Sequence, residues 1–465
     1  MSLQADSLGA DIPCTEFSAL QIPDSQPLSR YLNQLAEQYN IKTWCLAYSG
    51  GVDSQVLLHL LHLTKLNIRA VYIDHGLQAE SADWAKHCEQ QCHQLNVPFR
   101  VIKVNAAPQK GESPEAAARN ARYAAFKEIV QTGVCLLTAQ HQQDQAETVL
   151  LQLLRGGGAA GLAAMPQVSV FSGGWHSRPL LNVPQQAIID YAESHQLSWV
   201  EDPSNQLQNY DRNFLRLSII PALQQHWPAL SKTLSVFSGQ QAENAQLLDA
   251  LAEIDLQLVK IEENQLDSVC LKKLDNARLR NVLRFWIKEQ GYPLPSRAVL
   301  QQIVRQMAGE SDASGALVSW ADIEIRRYRN VMYCLQKMQH DAGKIYEWDG
   351  KSLLAMEGTG EAVQLKKRRV SDEIPFVLDK SVLHAALSVR FRQGGERIQP
   401  AGRGGHHDLK SLFQEAGVAP WQRSRIPLLY ADDTLVAVIG YWLADAFCGD
   451  IEGLLPEVIA GWRSN

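Results

Sequence analysis

Between Tyr48 and Gln55 the chain carries Ser49-Gly50-Gly51-Val52-Asp53-Ser54. The string follows the apolar run "TWCLAY" and precedes "QVLLHLL", which is apolar at helical spacing. Glycines let a backbone turn tightly and approach a ligand closely. A helix that starts there presents unpaired N–H groups and the positive end of its dipole, a setting suited to phosphate. Ser49 and Ser54 add hydroxyl donors. The string is neither Gly-x-x-x-x-Gly-Lys-Ser/Thr nor Gly-x-Gly-x-x-Gly, and it has no lysine to reach a terminal phosphate. Neither γ-phosphate transfer nor dinucleotide binding is therefore the natural reading. A carboxylate beside phosphates is repulsive unless a cation lies between them, and Mg²⁺ shares oxygen ligands with phosphates. Asp53 is accordingly read as a Mg²⁺ ligand, the alternative being a first-turn acid that stabilises the helix dipole.

A second group of reactive residues lies further along. Asp144 and Glu147 are three apart at a predicted helix start, so both can face one site; the plainer alternative is a pair of first-turn acids. Arg119 and Arg122 share a helix face and could neutralise charge on phosphates, or form an exposed face paired with Glu115. Arg212 and Arg216 are of the same kind. His75 and His141 each follow a predicted strand. His141 is the stronger of the two because it lies beside Asp144, although capped or packed histidines are common.

These residues need a scaffold, and the pattern supplies one. Leu28, Tyr31, Leu32 and Leu35 mark a first helix after Pro27. Strands are expected at 43–48, 68–74, 99–104 and 134–139, and a fifth at "LSWVED" (197–202). Helices are expected over 54–66, 81–95, from Ser113-Pro114-Glu115 onward with Ser113 as cap, and over 143–155. Strands alternating with helices predict a parallel sheet covered on both faces. From 217 to about 310 the pattern is helical, followed by a short β-like patch at "IEIRRYRNVMYCL". After an expected polar connection near 338–380, the last segment mixes strands and turns. The predicted fold class is α/β: a nucleotide-binding domain at 26–222, a mainly helical domain at 223–340 and a small α+β domain at 341–465, after a polar extension at 1–25.

The six-residue loop resembles the pyrophosphate loop (PP-loop) of the N-type ATP pyrophosphatases, which split ATP between the α and β phosphates. With "IDHGLQAES" (73–81), "ESPEAAARNARYAAF" (112–126), "AQHQQDQAETVLLQLLRGGGAAGLAAM" (139–165), "EDPSN" (201–205) and "DRNFLR" (211–216), it resembles the catalytic domain of the tRNA(Ile)-lysidine synthetase family. "VRFRQGGERIQP", "LKSLFQEAGVAPWQRSRIPLL" and "VAVIGYWLA" resemble that family's C-terminal domain. The resemblance implies an ATP- and Mg²⁺-dependent carbon–nitrogen ligase. O2 of the wobble cytidine in the CAU-anticodon isoleucine tRNA is adenylated, and the ε-amine of free L-lysine then displaces AMP to give lysidine. Ser49, Gly50, Gly51, Val52, Asp53 and Ser54 would bind ATP, and Asp53 and Asp144 would hold the metal. Asp53, Asp144, Arg119, Arg122, His141 and Glu147 would serve catalysis. Asp144 could instead take the proton of the attacking amine, which is mostly protonated near neutral pH. Gln78, Gln140 and Gln143 depart from the family pattern, which often has a basic residue, a histidine and an aspartate at those places.

The bulk properties are compatible with this. The chain has 465 residues, a formal net charge of −6 and 8 cysteines without a Cys-x-x-Cys pair. Its length calls for two or three domains, its cysteine usage fits a reducing cytoplasm, and it has no apolar run of membrane-spanning length. His87, Cys88, Cys92 and His93 lie on an amphipathic helix, where free cysteines act as small apolar fillers rather than a metal site. Residues 390–425 hold seven bases (Arg390, Arg392, Arg397, Arg403, Lys410, Arg423, Arg425) against three acids, with Phe391 and Trp421 among them. Together with "RRYR" (326–329) and Arg278, Arg280 and Arg284, they form an expected tRNA surface. Rival readings are another PP-loop tRNA-modifying enzyme, such as a thiolase, which needs reactive cysteines, or a non-catalytic RNA-binding protein with a relict loop. The lysine pocket and the oligomeric state, including any homodimer, are not written in the sequence.

Overall fold

The computed structural model describes residues 25–76, 81–108, 113–203, 211–307, 316–337, 340–356, 361–371 and 373–460. Residues 1–24 of the expected polar extension and Gln78 lie outside the described residues, while Ser25 already belongs to the first helix. The chain divides into two compact units, 1–248 and 249–465.

The first unit is built on a six-stranded sheet. Its chain order is α1 (Ser25–Tyr39), β1 (Thr43–Ala47), α2 (Val52–Thr64), β2 (Ile68–Asp74), α3 (Ser81–Gln94), β3 (Phe99–Lys103), α4 (Pro114–Ile129), β4 (Val134–Leu137) and α5 (Gln142–Leu154). A short α6 (Ala159–Leu162), the hairpin β5 (Val168–Phe171) and β6 (Gly174–Ser177), and α7 (Gln185–Ser194) follow. The strand order is β3-β2-β1-β4-β6-β5, parallel except for the antiparallel edge pair β5–β6.

Alternation along β1 sets the two faces. Trp44 and Leu46 join α1, α2, α3 and α7 in one core with Tyr31, Leu32, Leu57, Leu61, Cys88, Cys92 and Ile188. Cys45 turns to the other core with Val71, Ile73, Phe126 and Leu136. Cys88 and Cys92 are fully buried in the first of these cores, where sulfur fills space. Ser113 caps α4 as its sequence suggests, accepting from Ala116 N at 3.2 Å.

The fifth parallel strand is β6, not 197–202. Residues 197–202 form no strand, because Val200 N donates to Gly50 O at 2.9 Å and that segment lies along the loop after β1.

Beyond α7 come α8 (Asp211–Phe214), a five-residue π-helical turn Leu215–Ile219, α9 (Ile220–His226) and the long α10 (Leu230–Val259), within which the two units divide. In the second unit, β7 (Lys260–Glu262), β8 (Gln265–Asp267), β9 (Leu317–Trp320), β10 (Ile323–Tyr328) and β11 (Val331–Gln336) form one five-stranded antiparallel sheet. Helices α11 (Ser268–Leu271), α12 (Asn276–Glu289) and α13 (Arg297–Met307) accompany it, and Trp286, Ile287, Ile303, Ile325 and Met332 share its core.

The stretch expected to be a polar connection instead contains the strand Glu361–Arg369, paired along its whole length with Glu452–Ala460. Its charges hide it: Lys366 and Arg368 meet Glu457 at 2.8 and 3.0 Å across the pair. No helix among the described residues is long and apolar enough to cross a membrane.

Candidate active site

The strand order reverses between β1 and β4, and ligands of open α/β sheets collect outside the carboxyl ends of strands at such a point. The loop after β1 and the start of α5 after β4 flank it.

Gly50 has φ +81°, the left-handed region that suits glycine. A Cβ there would also stand 2.8 Å from Cys88 Sγ. Gly51 is the N-cap of α2 with no side-chain cap bond. The first-turn N–H groups are thus left for a ligand. The loop is braced internally: Ser49 N donates to Ser54 Oγ at 3.3 Å, and Ser54 Oγ donates to Gly51 O at 3.0 Å. Beneath it, the Tyr48 hydroxyl donates to Gln55 Oε1, and Gln55 Nε2 donates to Gln91 Oε1 at 3.2 Å. Gly50→Ala should therefore lower the melting temperature and weaken ATP binding together, by about 1–3 kcal/mol in stability. Differential scanning calorimetry with an ATP titration checks this.

The start of α5 is a capping box. His141 Nδ1 accepts from Gln143 N at 3.2 Å, while Asp144 Oδ2 accepts from His141 N at 3.0 Å. With Nδ1 accepting, the neutral ring carries its proton on Nε2. That atom lies 3.5 Å from Asp144 Oδ2 and 3.7 Å from Asp53 Oδ1. The structure thus brings Asp53, His141 and Asp144 together from two strand ends.

Their environments differ. Burial raises the Asp53 pKa above its ordinary value, the nearby Asp144 charge adds to this, and His141 and Arg216 only partly oppose it. Burial also works against ionisation of Asp144, but His141, Arg212 and Arg216 outweigh it and hold that pKa low. Asp53 Oδ1 is buried without a hydrogen-bond partner. A buried carboxylate oxygen facing a phosphate loop fits a hard cation that takes one or two carboxylates and completes its shell with phosphates. Among the described residues, no group of three or more His, Cys, Asp or Glu side chains is placed to hold a metal by itself.

Glu147 is fully buried. Arg216 Nε and Arg212 Nε donate to its two oxygens at 2.6 and 2.7 Å, and Arg216 Nη2 also reaches Asp144 Oδ1 at 2.9 Å. The π-helical turn begins at Leu215, so Arg216 projects from an irregular turn of a kind found at functional sites. Gln143, one of the altered positions, accepts from Ser231 of α10 at 2.9 Å.

The two α4 arginines lie elsewhere on the same sheet edge. Arg122 donates to His75 Nε2 from Nε and Nη2, at 3.3 and 3.2 Å. Burial, and then the Arg122 charge, push the His75 pKa down to about 4, so the ring is neutral and orients Arg122. Arg119 lies over the Tyr123 ring, 5.0 Å from its centroid. Thr138, His176 and Arg178 at the ends of β4 and β6 were missed from the sequence. "GWHS" has neither an apolar run nor a clean alternation to mark it as a strand.

The expected basic surface of the second unit is largely engaged internally. Arg390, Arg392, Arg397 and Arg403 pair with Asp433, Glu396, Asp408 and Glu415. Arg423 is buried and donates to Val418 O, Arg329 donates to Gln414 O, and Arg278 binds Asp255.

A glycine loop opening a helix at the switch point of a parallel sheet is the setting of a nucleotide-binding domain. A PP-loop domain model matches residues 25–223, a TilS substrate binding domain model matches 267–333, and a TilS substrate C-terminal domain model matches 387–453. The tRNA(Ile)-lysidine synthase of Coxiella burnetii is 40% identical over 428 residues, covering 91% of this chain and 93% of that protein. The tRNA(Ile)-lysidine synthase of Alkalilimnicola ehrlichii is 41% identical over 411 residues, covering 87% and 91%. The chain belongs to the tRNA(Ile)-lysidine synthase family.

Proposed function

We propose that this chain is a ligase that uses ATP and free lysine to convert the wobble cytidine of the CAU-anticodon isoleucine tRNA to lysidine, in the cytoplasm. The cytidine O2 attacks the α-phosphorus, the bond from that phosphorus to the bridging oxygen breaks, and pyrophosphate leaves. The lysine ε-amine then attacks C2. A C–N bond forms, the C2–O bond breaks, and AMP leaves with that oxygen while the amine loses a proton to a base. The observation that carries this reading is the phosphate loop and the His141–Asp144 cluster facing one another across a single switch point, in a chain whose relatives are tRNA(Ile)-lysidine synthases.

Within this reading the loop N–H groups and the Ser49 hydroxyl grip the β and γ phosphates, and Ser54, whose hydroxyl donates to Gly51 O, holds the loop in shape. Asp53, with its unpartnered oxygen, would hold Mg²⁺, with Asp144 as the second ligand. The ion supplies charge neutralisation to the phosphates. In the alternative to that ligand role, Asp144, which is held ionised at neutral pH, takes the amine's proton. His141 Nε2–H orients Asp53 and Asp144. Arg119, Arg122, Arg212 and Arg216 offset developing negative charge, and Glu147 positions the last two. The domain at 26–222 would hold the anticodon loop, while those at 223–340 and 341–465 would read the rest of the tRNA.

The test is mass spectrometry of nucleosides after incubation with ATP, Mg²⁺, lysine and either the isoleucine tRNA or the CAU-anticodon methionine tRNA. Lysine on the wobble cytidine of the first alone is expected. A tRNA that gains no lysine, or gains sulfur, overturns the reading.

A further inference from the structure

Two of the matched domains, 267–333 and 387–453, lie together in the second unit. Alternation along β10 sends Ile323 and Ile325 into the core with α12 and α13, and Arg326 and Tyr328 to the opposite face. There the register with β11 sets Tyr333 beside Arg326. Near the end of the chain come α14 (Leu409–Glu415) and the short α15 (Pro420–Arg423). Trp421 of α15 lies against the outer face of β10 and β11. Its ring centroid is 5.2 Å from that of Tyr333 and 6.3 Å from that of Tyr328. Arg326 covers the indole at 5.2 Å, and Glu324 fixes that guanidinium by accepting from its Nε and Nη2 at 2.7 and 3.0 Å.

Polar ties surround this stack. Arg423 Nη2 donates to the Tyr328 hydroxyl at 3.3 Å. Arg329 Nη2 donates to Gln414 O at 2.7 Å, in the last turn of α14, where carbonyls lack partners within the helix. Gly417, with φ +73°, makes room for it: a Cβ there would stand 3.3 Å from Arg329 Nη1. His340, in the connection between the two domains, donates from Nε2 to Ser424 O at 2.7 Å. Arg326, Arg329, Trp421 and Arg423 are residues that the sequence assigns to a tRNA surface. Each instead faces the other domain, so an RNA group reaching them would have to displace these contacts.

We propose that Trp421, seated on the Arg326–Tyr328–Tyr333 face, is a positioning residue that locks these two domains into one tRNA-reading body, and that Arg326, Arg329 and Arg423 serve tRNA binding through this joint rather than by touching RNA. This rests on the functional reading above. Tryptophan, tyrosine and arginine are the residues that carry most of the energy where two protein surfaces meet. A substrate that spans two domains binds well only if both are presented in one geometry, because a loose pair must be ordered at the moment of binding. The indole N–H is buried without a hydrogen-bond partner, so the ring's shape carries the contact and phenylalanine can replace much of it.

The test measures kcat and KM for the isoleucine tRNA by lysine incorporation, using the full chain. Trp421→Ala should raise KM about 10-fold and leave kcat at saturating tRNA unchanged, while Trp421→Phe should stay within about twofold of the parent. A lower apparent kcat at constant KM would mean only lost folded enzyme, and overturns the positioning role, as does an unchanged KM. Arg329→Gln, at an exposed position, should raise KM while the dependence of tRNA binding on salt keeps the parent's slope. A slope that falls by about one marks a phosphate contact and overturns the proposal. If the unaltered enzyme adds no lysine, the functional reading fails by itself. Hydrogen exchange then decides the joint: Trp421→Ala should speed exchange in β10 and α14 and leave β1 and β4 of the first unit unchanged. Parent-like exchange in β10 and α14 overturns it.

Discussion

Asp53→Asn should melt about 2 °C higher than the parent without ligand at pH 7, yet release pyrophosphate roughly 10³-fold more slowly. The two effects have one cause. Asp53 is half-buried beside Asp144, its Oδ1 is buried with no hydrogen-bond partner, and its pKa in the fold is raised. A carboxyl raised in this way adds stability below its unfolded pKa, and that contribution is lost as pH rises through the folded value. At pH 7 the ionised group therefore opposes folding, and an amide removes the charge while keeping the shape. The gain over the parent should shrink as pH falls toward the unfolded carboxyl value. Mg²⁺ with ATP should raise the parent's melting temperature and close the gap, because the cation supplies what the fold withholds. Scanning calorimetry across pH, paired with a pyrophosphate assay, reads both. A variant that is less stable at pH 7, or that keeps its turnover, contradicts this role for Asp53.

Glu147→Ala has the opposite profile. Glu147 is fully buried and accepts from Arg212 and Arg216, so its removal leaves two guanidinium groups without their main partner. Breaking such a pair costs about 3–5 kcal/mol, and Glu147→Gln should lose less because it keeps the volume and one acceptor oxygen. Asp144 is drawn in as well, since Arg216 bridges the two acids. The folded pKa of Asp144 is depressed, so its contribution is present above the unfolded carboxyl pKa and lost as pH falls through the folded value. Glu147→Ala frees the arginines and should move acid unfolding of the first unit to higher pH. Urea unfolding followed by hydrogen exchange on α5 and α8 measures both. A loss below about 0.5 kcal/mol would mean that the arginines find other partners.

The first unit was readable wherever one local rule dominated. Leu28, Tyr31, Leu32 and Leu35 lie buried on α1, and "IRAVYID" is β2 to the residue. Ser113 caps α4 because its hydroxyl meets a free first-turn N–H. The misses came from competition that a local pattern does not carry. "LSWVED" reads as a strand, but its Val200 amide serves Gly50, whereas "GWHS" pairs in the sheet with little apolar signal. "EAVQLKKRR" reads as polar linker, although its charges are matched on a partner strand some ninety residues away. The loop and the two aspartates could be found from residue type and order. That Glu147 faces arginines rather than the cleft depends on a π-helical turn seventy residues later, which no spacing rule encodes.

The most direct measurement follows the fate of ATP labelled at its γ phosphate, in the presence of Mg²⁺ and the isoleucine tRNA. Attack at the α-phosphorus requires that the label leave as pyrophosphate, only when the tRNA is present, with AMP as the nucleotide product once lysine is added. Label recovered as orthophosphate alongside ADP would contradict the account.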